Sequence, residues 1–192
     1  MTRLFLLLFP LLLLLLAACD DDLPTPEPEP ETALEALDRL VPATQEGANK
    51  IGCLIDGKVW ENKGGSAFDS NVFGSFYIDS SRVTIGGFRR STNSGDHWSE
   101  IVRIPFIVAN HSPILPVIYD MTTTNSVLSS QFGSPRYYGD YFLLDSTENI
   151  VVVEFWNSEI ISGTFQCHVK QKYTGEVLEV TNGRFDVTYQ TF

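Results

Sequence analysis

Cys19 has the plainest chemistry in this chain. It follows Leu16-Ala17-Ala18 and closes a run from Leu4 that opens after Arg3 and is broken only by Pro10. A charged start, a short apolar stretch and small residues before a cut describe an export signal. A cysteine at the cut adds a thiol that can take a diacylglycerol. Spanning a bilayer needs about 20 apolar residues, and this run is shorter. Residues 1–18 therefore read as a lipoprotein signal peptide, with an uncleaved anchor as the alternative. Acylation at Cys19 would tie the protein to a membrane. Each buried methylene adds about 0.8 kcal/mol, and one chain alone holds only marginally.

Two further thiols, Cys53 and Cys167, fall on apolar faces of alternating segments. In an oxidising envelope two such cysteines could pair. They could equally be separate buried thiols acting as small hydrophobes. The sequence leaves both readings open.

The imidazoles are His97, His111 and His168, and none stands at metal-ligand spacing from another ligand. Asp96 and His97 are adjacent and would point apart in a strand. No nucleophile elbow, Ser-x-x-Lys or His-Glu-x-x-His pattern occurs. Asp140, Asp145, Glu148 and Glu154 cluster in sequence, and a carboxylate pair can hydrolyse glycosides. These four sit at loop and strand positions that read as solvated. No cofactor and no catalysis are expected. The best binding candidate is Tyr137, Tyr138 and Tyr141, with Trp98 and Arg136 nearby. Tyrosine rings with a polar tip suit sugars and peptide surfaces, although strand packing uses the same residues. Trp60 and Trp156 read as core.

The formal charge is -11. Residues 20–48 hold nine acids and one base; residues 49–192 hold fifteen acids and eleven bases. No basic patch gathers phosphates, which argues against nucleic acid. Prolines 24, 26, 28 and 30 among acids make residues 20–30 an extended, disordered spacer. Leu34, Leu37 and Leu40 then recur at helical spacing before Pro42, predicting a short helix that needs a surface to pack on.

From Asn49 the period becomes two. Ile161, Phe165, Cys167 and Val169 alternate with polar residues, as do Val102, Ile104, Phe106 and Val108, and Phe185, Val187 and Tyr189. Val151, Val153 and Phe155 are assigned inward. Such patterns describe half-buried antiparallel strands. Asp56-Gly57 and Asn182-Gly183 read as hairpin turns, and Gly64-Gly65, Ser80-Ser81, Ser94-Gly95 and Thr174-Gly175 as further turns. Between Ala109 and Arg136 one strand near Val117–Met121 and a long loop are expected. The fold class is all-β: an antiparallel sandwich or barrel of roughly ten strands over residues 49–192. Residues 19–48 are the lipidated cysteine, linker and short helix.

Three phrases resemble a family of uncharacterised Bacteroidota lipoproteins. These are Gly52-Cys53-Leu54-Ile55-Asp56-Gly57-Lys58-Val59-Trp60, Ile161-Ser162-Gly163-Thr164-Phe165, and Gly183-Arg184-Phe185-Asp186-Val187-Thr188-Tyr189. The resemblance spans residues 42–192 and is specific at its two ends. It implies a lineage and a β fold, and it brings no catalytic residues. In that phylum acids after the lipidated cysteine accompany display at the cell surface. Asp20-Asp21-Asp22 resembles such a signal but lacks the usual preceding lysine or glutamine. Asp145-Ser146-Thr147 resembles the short acceptor used there for O-glycosylation, at Ser146. An ordinary Asx turn would use the same residues.

These readings converge on a lipid-anchored protein of the cell outer membrane, facing the periplasm or the surface. It would be a non-catalytic binding or structural module with a glycan, peptide or envelope-protein partner. A lipocalin-like carrier of a small apolar ligand is the alternative.

Overall fold

The alternating segments form strands that join into one sheet. In the computed structural model the described residues are Glu35, Leu40 and 44–63, 71–91, 98–108, 115–122, 126–131, 137, 139–145 and 148–192. The strands are β1 (Lys50–Ile55), β2 (Lys58–Glu61), β3 (Val72–Tyr77), β4 (Arg82–Ser91), β5 (Trp98–Ile107) and β6 (Val117–Asp120). They continue with β7 (Leu128–Gln131), β8 (Gly139–Leu143), β9 (Ile150–Trp156), β10 (Ile160–Gln171), β11 (Val177–Thr188) and β12 (Gln190–Thr191). The order is β12-β3-β4-β5-β7-β8-β10-β11-β1-β2, with β9 also on β10 and β6 on β9. All pairs are antiparallel except β12 with β3.

The sheet is not closed. It folds over so that strands far apart in order face each other. Trp60 on β2 donates its indole N–H to Glu100 on β5 at 3.1 Å. Phe76 on β3 meets Trp156 on β9 edge-on at 5.7 Å. A Cβ at Gly87 on β4 would lie 2.2 Å from the Ile51 side chain on β1, so only glycine admits this approach. The main core that results is filled by Trp60, Phe106, Tyr141, Phe185 and the branched aliphatics between them. Burying each such side chain contributes about 1.5–3 kcal/mol.

The all-β reading holds, with twelve strands among the described residues. The expected faces hold for Ile161, Phe165, Cys167 and Val169, all buried. Asp56-Gly57 is the predicted hairpin turn, with φ of 48° and 74°. Such a pair of positive φ values matches the twist of the flanking strands. Asn182-Gly183 is not a turn: β11 runs straight through it. The pairing with β1 and β10 slips there, and Asn182 has φ 50°. The same residue chemistry that makes a hairpin therefore makes a bulge. A second slip, between Val153 and Phe155, turns Phe155 outward and gives Trp156 the core side. The polar stretch expected as loop contains β7, whose Leu128 is core while its serines pair at the backbone. Gly64-Gly65 and Ser94-Gly95 lie outside the described residues.

The folded unit begins before Asn49. Residues 31–192 form one compact unit, and residues 1–30 lie outside the described residues. Leu40 is buried against Leu54, with Val59 beside them. Of the predicted helix only Glu35, which is helical, and Leu40 are described. Among the described residues no helix is long and apolar enough to cross a membrane.

Candidate functional site

Residues 44–48 cross the outer face of β11 at Asp186. Its carboxylate accepts from the Thr44 hydroxyl and from the backbone N–H groups of Glu46 (3.1 Å), Gly47 (2.9 Å) and Ala48 (3.2 Å). Burial works to raise the Asp186 pKa, but these four donors outweigh it and hold the group below the usual carboxylate range. Asp186 therefore clamps the incoming segment.

The two thiols are free. Cys53 on β1 and Cys167 on β10 lie on opposite sides of β11. Two interstrand steps of about 4.8 Å separate their backbones. A bridge needs Cα atoms within about 7 Å. In this arrangement the two are separate buried thiols, the second of the two readings. Burial pushes both thiol pKa values up, that of Cys167 to about 12, with the neighbouring Cys167 adding to the rise at Cys53.

The predicted tyrosine face does not form. Tyr137 and Tyr141 are 7% and 1% exposed, in edge-on contact at 6.4 Å within the core. Tyr141 stands opposite Leu128 and Gln171, both inward, so the pleat sends its ring inside. Its hydroxyl reaches the Glu176 carboxylate at 2.7 Å. Tyr138, Arg136 and the Trp98 side chain lie outside the described residues, as do Cys19 and Ser146. The flanks of Ser146, Asp145 and Glu148, are exposed.

Asp140, Asp145, Glu148 and Glu154 are all exposed, as their positions suggested. Glu148 lies 3.5 Å from His168 Nδ1. His97 and His111 are outside the described residues. Among the described residues no three His, Cys, Asp or Glu side chains gather as metal ligands. Sequence reasoning missed Glu100, a fully buried carboxylate. It binds the Trp60 indole and stands opposite Arg89 across β4 and β5, an arrangement that anchors the core.

The structure assembles a surface that periodicity did not suggest. A short 3-10 turn, Ile78–Ser80, ends with Ser81 in the left-handed region and returns the chain from β3 to β4. Tyr77 and Arg82 therefore form the last pair of that ladder, and Arg82 also stands opposite Ile107 on β5. After β11, β12 lies parallel on β3, and Phe192 is fixed by backbone bonds with Phe76 and Ile78. Phe192 stacks on Tyr77 at 5.6 Å, and the Arg82 guanidinium lies 4.9 Å over the same ring. The row Phe192–Tyr77–Arg82–Ile107 crosses four strands. Phe192, Ile107 and neighbouring Ile78 are 63%, 53% and 51% exposed. Arg82 Nε is buried with no hydrogen-bond partner.

A shallow groove of about 270 Å³ lies on the outer side of β9–β11, lined by Ile150, Val152, Thr164, Gln166 and Arg184 among others. It is not an interior cavity. No family model, curated protein or solved structure matches this chain.

Proposed function

We propose that this chain is a lipid-anchored protein of the cell outer membrane that works without catalysis, as a binding module. Acylation at Cys19 supplies the membrane attachment and residues 20–30 the spacer. The observation that carries the binding role is the Phe192–Tyr77–Arg82 row, in which Phe192 and Tyr77 are exposed and Arg82 is half-buried, set on paired strands. Large apolar side chains grouped on a surface around an aromatic–arginine stack suit recognition better than solvation. The partner classes are glycan, peptide or another envelope protein. A barrel-shaped carrier would need a vacant interior, where this fold packs Trp60, Phe106 and Phe185. The resemblance to Bacteroidota lipoproteins and the Ser146 acceptor agree with an exported protein.

The test uses the detergent-purified full chain on glycan and peptide arrays. Retention on at least one probe class, lost on substituting both Tyr77→Ala and Phe192→Ala, is the expected result. Retention unchanged by that double substitution would place binding elsewhere.

A further inference from the structure

β11 carries the chain's single Asn-Gly pair, Asn182-Gly183. It lies where both neighbouring ladders slip. On the β1 side the register passes from Thr181 to Arg184, and on the β10 side from Val180 to Gly183, so Asn182 belongs to neither. Its side chain is exposed and, among the described residues, makes no hydrogen bond, ion pair or ring contact. Other asparagine amides are held in place. Asn157 Oδ1 accepts from the backbone N–H groups of Glu159 and Ile160 at 2.8 and 2.7 Å. Asn49 Oδ1 accepts from the N–H and the hydroxyl of Thr188 at 3.0 and 2.9 Å. Gly183 is fixed as glycine by the Phe165 ring, which lies 2.5 Å from where a Cβ would stand. No side chain therefore shields its nitrogen. Asn182 and Gly183 both line the groove on the outer side of β9–β11, which brings water to the peptide between them.

We propose that Asn182 is a self-modifying site. The Gly183 nitrogen attacks Asn182 Cγ and gives up its proton. The new N–C bond closes a five-membered imide, and the side-chain nitrogen leaves as ammonia. Water then opens the ring, so the net exchange is one water in and one ammonia out. Opening at the side-chain carbonyl leaves aspartate. Opening at the main-chain carbonyl leaves isoaspartate, with the chain running through Cγ and one methylene longer. The attack needs rotation about the bonds of Asn182, which starts in the left-handed region at φ 50°. A bulge leaves its extra residue unpaired, so this rotation breaks no ladder pair of Asn182 itself. The groove lining holds Arg184 and no acid, so either product adds its first carboxylate. The site is independent of the Phe192–Tyr77–Arg82 row.

The test holds the detergent-purified full chain in mildly alkaline buffer and reads its tryptic peptides by chromatography and mass. Tyr173–Arg184 contains Asn182 as its only amide side chain. This peptide should divide with time into amide, aspartate and isoaspartate forms. Its rate should lie within about tenfold of that of the same peptide free in solution, because local opening at an unpaired position costs little. Peptides carrying Asn49 and Asn157 should stay unchanged over the same time. Conversion at Asn182 no faster than at Asn49 and Asn157, while the free peptide converts fully, would overturn the proposal and show that the strand locks the site. Aspartate without isoaspartate would overturn it as well, because direct hydrolysis needs no attack by Gly183. So would conversion that appears only as the sheet signal in circular dichroism is lost, which would assign the reaction to unfolded chain.

Discussion

Asp186 gathers a hydroxyl and three backbone N–H donors, and all four favour its ionised form. Its folded pKa is lowered, so its contribution to stability is complete above the unfolded value of about 3.9. That contribution is lost as pH falls through the folded value. Asp186→Asn removes the charge and leaves one donor facing donors. We expect a loss of about 2 kcal/mol at neutral pH. Urea unfolding from pH 7 to pH 3 should show the gap to the parent closing at the acid end; a constant gap would contradict the clamp. The thiols make a second prediction. Cys53 and Cys167 should resist alkylation in the folded chain and both react on unfolding without reductant, as read by intact mass. A residue needing reductant would restore the bridge. The Asp186 clamp was hidden because alternation marks Asp186 as outward and solvated. Only the packing of residues 44–48 reveals that its outward face is covered.

Strands are the elements the sequence displays best, because one buried face imposes a period of two. Register slips are displayed worst. Gly183 lies beneath the Phe165 ring, and a Cβ there would sit 2.5 Å from it. Gly183→Val should therefore cost about 1–3 kcal/mol by overpacking. Thermal unfolding measures this, and an unchanged melting temperature would mean the bulge relaxes freely. Asn-Gly signals a positive φ, but whether the chain reverses or bulges depends on the partner strands. Tyr77 and Arg82 flank the Ser80-Ser81 turn, so their pairing was within reach of the sequence. The position of Phe192 was not, because it depends on a parallel pairing with a strand more than a hundred residues earlier. The tyrosine group failed as a site for a related reason. Alternation set Tyr137 and Tyr141 on one face but could not say that this face is inside.

At the scale of the whole molecule, the proposal joins a lipid anchor, an acidic spacer and a sheet that presents one aromatic–arginine row. Cys19→Ala should leave the chain unprocessed and abolish partitioning into a detergent phase. Partitioning unchanged after a high-salt wash would point to another anchor. The most direct test of the binding face is hydroxyl-radical footprinting of the chain in its host cells against the purified chain, read by peptide mass. Tyr173 is 79% exposed and stands outside the row, so it serves as the internal reference. The account predicts that Tyr77 and Phe192 are protected in cells relative to Tyr173. Equal labelling of all three in cells and in isolation would contradict it.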